Sequence, residues 1–272
     1  MRGSSKDESL SGSSGNDVFA MGGGDDAVMA TRGRDEVDGG KGAADAYSGV
    51  ELNRALTVDL QRGFAKKKGA GRDALENVEV VAGSGRNDRI KGDDGDDARD
   101  GRGGGDRLWG REGGDPLFGS DGDDRLWGGA GDDAMWGGDG GGEQYGGAGD
   151  DTMYGSGSQS PDMDELYGGT GDDTMFGGGG DDVLEGGPGT DVLYGGDGSD
   201  LFILDASPAE GGPDRLVGFV GAEGDRLSLV GLPSEYEAVI VDESTEIRRN
   251  GQTVAVLEFE QDADVLQDAL FQ

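Results

Sequence analysis

The chain has 272 residues, of which 60 are glycine and only 32% are hydrophobic, and its formal net charge is −35. So little apolar surface excludes a fold resting on an ordinary core, and so much negative charge excludes nucleic acid as a partner, since phosphates need a basic surface. The absence of histidine and cysteine excludes disulfides, thiol chemistry, a Ser-His-Asp triad and His-ligated zinc.

Residues 1–11 read as a polar, frayed lead-in without the apolar segment of a cleaved secretory signal. No apolar run anywhere approaches the roughly 18–20 residues of a membrane span. A first repeat block covers 12–48. Residues 12–20 read GSSGNDVFA, 21–29 read MGGGDDAVM and 30–38 read ATRGRDEVD. Asp17, Asp26 and Asp35 stand sixth in these nonapeptides, and Phe19, Val28 and Val37 stand eighth. A fourth unit slips by one residue, so its acid is Asp45.

Over 49–82 the period lapses. Residues 56–60 and 78–81 alternate like strands. Between them lies a dense basic run, Arg62, Lys66, Lys67, Lys68 and Arg72. It is predicted to be a solvated loop between two longer coils, with a docking patch for an anionic polymer as the alternative.

The main repeat block covers 83–203 and is clearest in GGTGDDTMF, GGGGDDVLE, GGPGTDVLY and GGDGSDLFI over 168–203. Its sixth positions are Asp88, Asp97, Asp106, Asp115, Asp124, Asp133, Asp151, Asp164, Asp173, Asp182, Asp191 and Asp200, with Gly142 in place of one aspartate. An insertion in 155–167 is expected to bulge from one turn without breaking the stack. Eighth-position residues such as Leu126, Met153 and Leu184 are predicted to face inward, where Arg99 and Gln144 should loosen the core. Ninth-position aromatics, among them Trp109, Trp127 and Trp136, are predicted to face outward and stack, and could form a ligand surface. Arg102, Arg111, Ser120 and Asp93 replace second-position glycines, so 83–127 should hold metal less tightly than 146–203. Residues 204–272 read as a β cap, with a hairpin at Asn250-Gly251.

The spacing carries a chemistry. Glycines at the first, second and fourth positions can reach left-handed angles and aim carbonyl oxygens at one point, where the sixth-position aspartate adds a carboxylate. An all-oxygen, hard-ligand cage suits calcium better than magnesium. Two nonapeptides would make one coil, so an ion would sit between aspartates of successive coils, such as Asp173 and Asp191. No distinct acid/base constellation stands apart from these acids, so the chain is not expected to be an enzyme.

The repeated nonapeptide resembles that of the RTX (hemolysin-type) calcium-binding proteins of secreted bacterial origin. The resemblance implies an all-β fold, a right-handed parallel β-roll or β-helix solenoid with a C-terminal β cap, that folds on binding several Ca2+ ions. It implies sixth-position aspartates as ligands, together with turn carbonyls of Gly129, Gly131, Gly147, Gly149, Gly169, Gly171, Gly178, Gly180, Gly187, Gly189, Gly196 and Gly198. One site would join Asp133 and Asp151 with Gly129 and Gly131. It also implies an extracellular location reached through type I secretion machinery, which would read an uncleaved C-terminal signal such as DADVLQDALFQ. The alternatives are a calcium-stabilised module binding a polysaccharide or cell-surface partner, and the C-terminal part of a larger secreted enzyme or toxin.

Overall fold

The computed structural model describes residues 2–158, 160–204, 212–219, 224–229, 236–241 and 244–258. Among these residues the regular elements are all β-strands, and no helix is long and apolar enough to cross a membrane. The expected secretion signal lies outside the described residues. The chain divides into two compact units, Met1–Ala130 and Gly131–Gln272.

In each unit successive nonapeptides send strands alternately to two parallel sheets. In the first unit one sheet runs Ser9–Ser11, Ala27–Met29, Ala46–Ser48, Val80–Ala82, Ala98–Asp100 and Pro116–Asp121. In the second unit Ala134–Asp139, Thr152–Tyr154, Thr174–Gly179, Val192–Asp197 and Asp214–Val217 pair in the same way. Its other sheet runs from Glu143–Ala148 through Glu165–Thr170, Val183–Glu185 and Leu201–Leu204 to Arg226–Leu229. The insertion in 155–167 leaves this register intact, since Glu143 still pairs Glu165 and Leu166 pairs Leu184. The strand period of two turns every eighth-position side chain inward. Leu108, Leu117, Leu126, Met135, Met153, Leu184 and Phe202 are fully buried.

Two expectations are corrected. The basic run is not a solvated loop. Phe64–Lys67 and Gly71–Glu76 are strands in the second sheet of the first unit; Phe64–Lys67 pairs antiparallel with Leu56–Asp59 on one side and with Gly71–Glu76 on the other, and Gly71–Glu76 pairs parallel with Glu36–Asp38. Gly63 and Gly69, at φ 62° and 73°, make the reversals possible, and the alternation of Phe64-Ala-Lys-Lys67 buries Lys67. Nor do coils stop at Ile203: Asp214–Val217 and Arg226–Leu229 stay parallel and in register with the coils before them. Beyond them Tyr236–Val241, Ser244–Arg249 and Gln252–Glu258 form the antiparallel end, closed by Asn250-Gly251 with both φ values positive, as its hairpin signal requires. At the inward positions where looser packing is expected, Arg99 and Gln144 are both buried; Gln144 Nε2 donates to the Tyr154 carbonyl at 2.7 Å, while Gln144 Oε1 and Arg99 Nε have no hydrogen-bond partner among the described residues.

The second-position departures have a backbone cost. Arg102, Arg111 and Ser120 hold φ of 75°, 100° and 77°. Arg102 reaches only Asp100, at 3.4 Å on the surface. Arg102→Gly is therefore expected to stabilise the calcium-loaded chain by about 0.5–1 kcal/mol, read as a higher urea midpoint.

Candidate metal centre

The sixth-position aspartates stack into columns. In each, the backbone N–H of one aspartate donates to Oδ1 of the aspartate one coil on. The second unit carries two columns. One runs Asp133, Asp151, Asp173, Asp191 and Asp214, with bonds of 2.8–3.0 Å. The other runs Gly142, Asp164, Asp182, Asp200 and Asp225, again at 2.8–3.0 Å. Gly142 contributes its N–H but no carboxylate. In the first unit Asp88, Asp106 and Asp124 form one run. Asp97 with Asp115, Asp17 with Asp35 and Asp73, and Asp26 with Asp45 and Glu79 form the others. Leaving aside half-buried Asp17, Asp133 and every predicted aspartate are buried.

Four ligand candidates on these columns escape the nonapeptide reading: Asp73, Glu79, Asp214 and Asp225. For the aspartates a signal exists. Asp73-Ala-Leu75, Asp214-Arg-Leu216 and Asp225-Arg-Leu227 keep the acid and the leucine two residues later, with glycine at the second and fourth positions before Asp73 (Gly69 and Gly71), at the fourth before Asp214 (Gly212) and at the second before Asp225 (Gly221). A fifth-position ladder runs the other way. The amides of Asp150, Asp172 and Thr190 donate to Oδ1 of Asp132, Asp150 and Asp172 respectively, at 2.8–2.9 Å.

The remaining carboxylate oxygen decides what the column can do. Oδ2 of Asp26, Asp45, Asp106, Asp124, Asp151, Asp164, Asp173, Asp182, Asp191 and Asp200 is buried and has no hydrogen-bond partner. A buried carboxylate oxygen left unpaired is costly, which makes each a ready acceptor for a cation. Burial accordingly pushes the carboxyl groups up: Asp106 and Asp173 to about 8, Asp182 and Asp214 to about 7, and Asp124, Asp151, Asp164, Asp191 and Asp200 to about 6.

Backbone oxygens supply the rest. A Cβ on Gly187, Gly189, Gly196 or Gly198 would lie 1.8–2.2 Å from the carbonyl oxygen of Gly169, Gly171, Gly178 or Gly180 respectively, one coil before. Gly169, Gly171 and Gly149 meet the carbonyls of Gly147, Gly149 and Gly131 in the same way, and Gly129 meets that of Arg111. Carbonyls thus stack over glycines that could bear no side chain. The first-position glycines act differently from the expectation, because none of Gly168, Gly177, Gly186 and Gly195 has a positive φ. Their missing Cβ leaves room for the aspartate itself, whose Oδ2 lies 2.1–2.4 Å from where that atom would be. Among the described residues no three acidic side chains converge on one point. An ion held here would draw on carboxylates of successive coils and on turn carbonyls, a donor set of hard oxygens that fits calcium.

Two levels differ. At the first, the buried Lys67 Nζ lies 2.7 Å from Asp73 Oδ1 and 3.3 Å from Asp35 Oδ2, and Tyr47 donates its hydroxyl to Asp73 Oδ2 at 2.5 Å. At the second, the buried Arg99 guanidinium lies 2.7 Å from Asp97 Oδ2 and 3.0 Å from Asp115 Oδ1. Its Nη2 occupies the space a Cβ on Gly92 would need, 1.3 Å away. The chain's own cations stand between the stacked carboxylates at these levels.

The outward aromatics stack as expected. Trp109 lies on Trp127 at 4.8 Å, and Trp136, Tyr154, Phe176 and Tyr194 form a run with centroids 4.5–5.8 Å apart and planes within 10°.

Stacked parallel coils with buried carboxylates and glycine-turn carbonyls define a metal-binding β-roll. The RTX calcium-binding nonapeptide repeat (4 copies) matches residues 2–35, 21–43, 69–108, 109–142, 145–158 and 164–202. That is more than half of the chain, which belongs to this calcium-binding family. No curated protein matches it in sequence at a significant level. Among solved structures it is similar to the extracellular lipase LipA from Serratia marcescens, at 16% identity and a TM-score of 0.27. The match covers 98% of this chain and 38% of that one, so the chain spans well under half the length of that protein.

Proposed function

We propose that this is an extracellular calcium-binding protein whose folding is driven by ions bound between stacked glycine-aspartate turns. The observation that carries the reading is the set of buried, unpartnered Oδ2 atoms along the columns. Without cations, each level brings desolvated carboxylates together in a chain of net charge −35, and ordering its 60 glycines is entropically costly. Calcium would supply the missing charge and bind only the folded form, so many weak sites add large stability. Extracellular calcium modules typically bind at about 10⁻⁴–10⁻³ M, which would leave the chain unfolded in low-calcium cytoplasm and fold it after export through type I machinery.

The ligands would be the sixth-position aspartates and the second- and fourth-position carbonyls, most densely over 146–203. The levels of Asp35 with Asp73 and of Asp97 with Asp115 are closed to calcium by Lys67 and Arg99. Equilibrium dialysis tests the assignment. Asp173→Ala is expected to lose one or two bound ions per chain, because Asp173 lies between Asp151 and Asp191 in its column. Unchanged stoichiometry would contradict it.

A further inference from the structure

Outward residues of the first unit form a row that the sequence scatters over more than fifty positions. Cα register places Arg72 opposite Lys66, Lys66 opposite Thr57, Thr57 opposite Arg89, Arg89 opposite Arg107 and Arg107 opposite Arg125. Each step is one strand, about 4.8 Å, so five cations line up across roughly 24 Å. The antiparallel insertion is what brings Lys66 and Arg72 into line with the repeat arginines.

Acids outnumber bases 58 to 23 in this chain, so composition alone does not produce such a row. Among the described residues Arg72, Lys66, Arg89 and Arg107 take part in no ion pair. Beside Thr57 opens a cavity of about 740 Å³, lined by Arg54, Lys66, Lys68, Arg86 and Arg89 and by no carboxylate. Two of these arginines are oriented: Arg86 donates to Asn53 Oδ1 at 2.6 and 3.0 Å, and Arg54 to the Lys68 carbonyl at 3.2 Å. The corresponding row of the second unit carries Glu143, Glu165 and Val183, so the positive row is a property of one unit.

We infer that this row and cavity bind a linear acidic polysaccharide, one bearing sulfate or carboxylate groups along its length. Regularly spaced cations on rigid strands match a polymer of regularly spaced anions. Single-stranded nucleic acid fits less well, because it needs open aromatic faces for its bases. Trp109, next to the row, has one face against Lys91 Nζ at 4.6 Å and the other against Trp127 at 4.8 Å. A smaller adjoining cavity, about 340 Å³, holds Arg89, Arg107 and Arg125 but also Asp88, Asp106 and Asp123. Asp88 and Asp106 belong to a metal column, so the inference rests on the calcium reading to the extent that bound calcium offsets their charge.

The test is binding of the full chain to dextran sulfate, with uncharged dextran and poly(dT) as comparison polymers, in millimolar calcium. Dextran sulfate is expected to bind and dextran not. Arg89→Glu/Arg107→Glu should weaken binding about tenfold or more, whereas Arg226→Glu, exposed in the second unit, should leave it within about twofold. Circular dichroism of every variant in the same buffer separates the two readings: loss of calcium-dependent β signal is a failure of folding, and full β signal without dextran sulfate binding overturns this inference. If the double glutamate variant is not folded, Arg89→Gln/Arg107→Gln carries the same comparison. Equal loss in Arg226→Glu would show diffuse attraction only and overturn the site. Binding of poly(dT) as tight as that of dextran sulfate would overturn the polysaccharide assignment.

Discussion

Arg99→Leu is expected to open a calcium site at the level of Asp97 and Asp115, which the Arg99 guanidinium now occupies. Leucine is the inward residue of the next coil, Leu117, in register with Arg99, so the substitution restores the repeat. It also strips the buried Asp97 and Asp115 of their counter-ion. Removing one partner from a buried charge pair typically costs about 3–5 kcal/mol. At the lowest calcium concentration that keeps the unsubstituted chain folded, the variant should show a loss of that size in urea denaturation followed by tryptophan fluorescence. In excess calcium most of it should return, with one more ion bound per chain. Lys67→Met should behave alike at the Asp35 and Asp73 level. A loss that calcium does not repair would show that the arginine is needed for packing rather than as a substitute for a metal ion.

Acid should partly replace calcium. Burial raises Asp106 and Asp173 to about 8 and five further column aspartates to about 6, from an ordinary 3.8. A carboxyl whose folded-state value lies above its unfolded value contributes stability that is complete below about pH 4 and is lost as pH rises through 6–8. The metal-free chain in chelator should therefore show more β signal at pH 5 than at pH 9. With calcium present the direction reverses, since protons compete for the same oxygens and affinity falls toward acid. A pH titration of circular dichroism with and without calcium reads both. Greater metal-free stability at pH 9 than at pH 5 would contradict the burial of these groups as acids without counter-ions.

Much of this architecture is legible from spacing alone. The sixth-position aspartates from Asp88 to Asp200 fall on the columns, those after Asp151 displaced by the four-residue insertion, because a coil of two short strands and two turns fixes the strands while a turn can lengthen without moving them. What the count misses has physical causes. Asp214 and Asp225 continue the columns where the full glycine pattern has thinned to Gly212 and Gly221, and the acid with a leucine two residues on is the signal that remains. Lys67 reads as a surface charge until its alternation with Lys66 is set on a strand. Arg99 reads as a defect in the core, whereas its length lets the guanidinium reach past the apolar seam to the carboxylates on either side. The row from Arg72 to Arg125 is legible only in part: Arg89, Arg107 and Arg125 recur at the 18-residue coil period, whereas an antiparallel insertion brings Lys66 and Arg72 into line with them.

Far-ultraviolet circular dichroism of the metal-free chain at pH 8, during titration with calcium and separately with magnesium, tests the central claim most directly. The columns of unpartnered carboxylate oxygens predict weak β signal in chelator, a cooperative rise with calcium in the range of about 10⁻⁴–10⁻³ M, and little response to magnesium. Full β signal in strong chelator, unchanged by calcium, would contradict calcium-driven folding and leave the roll as a preformed scaffold.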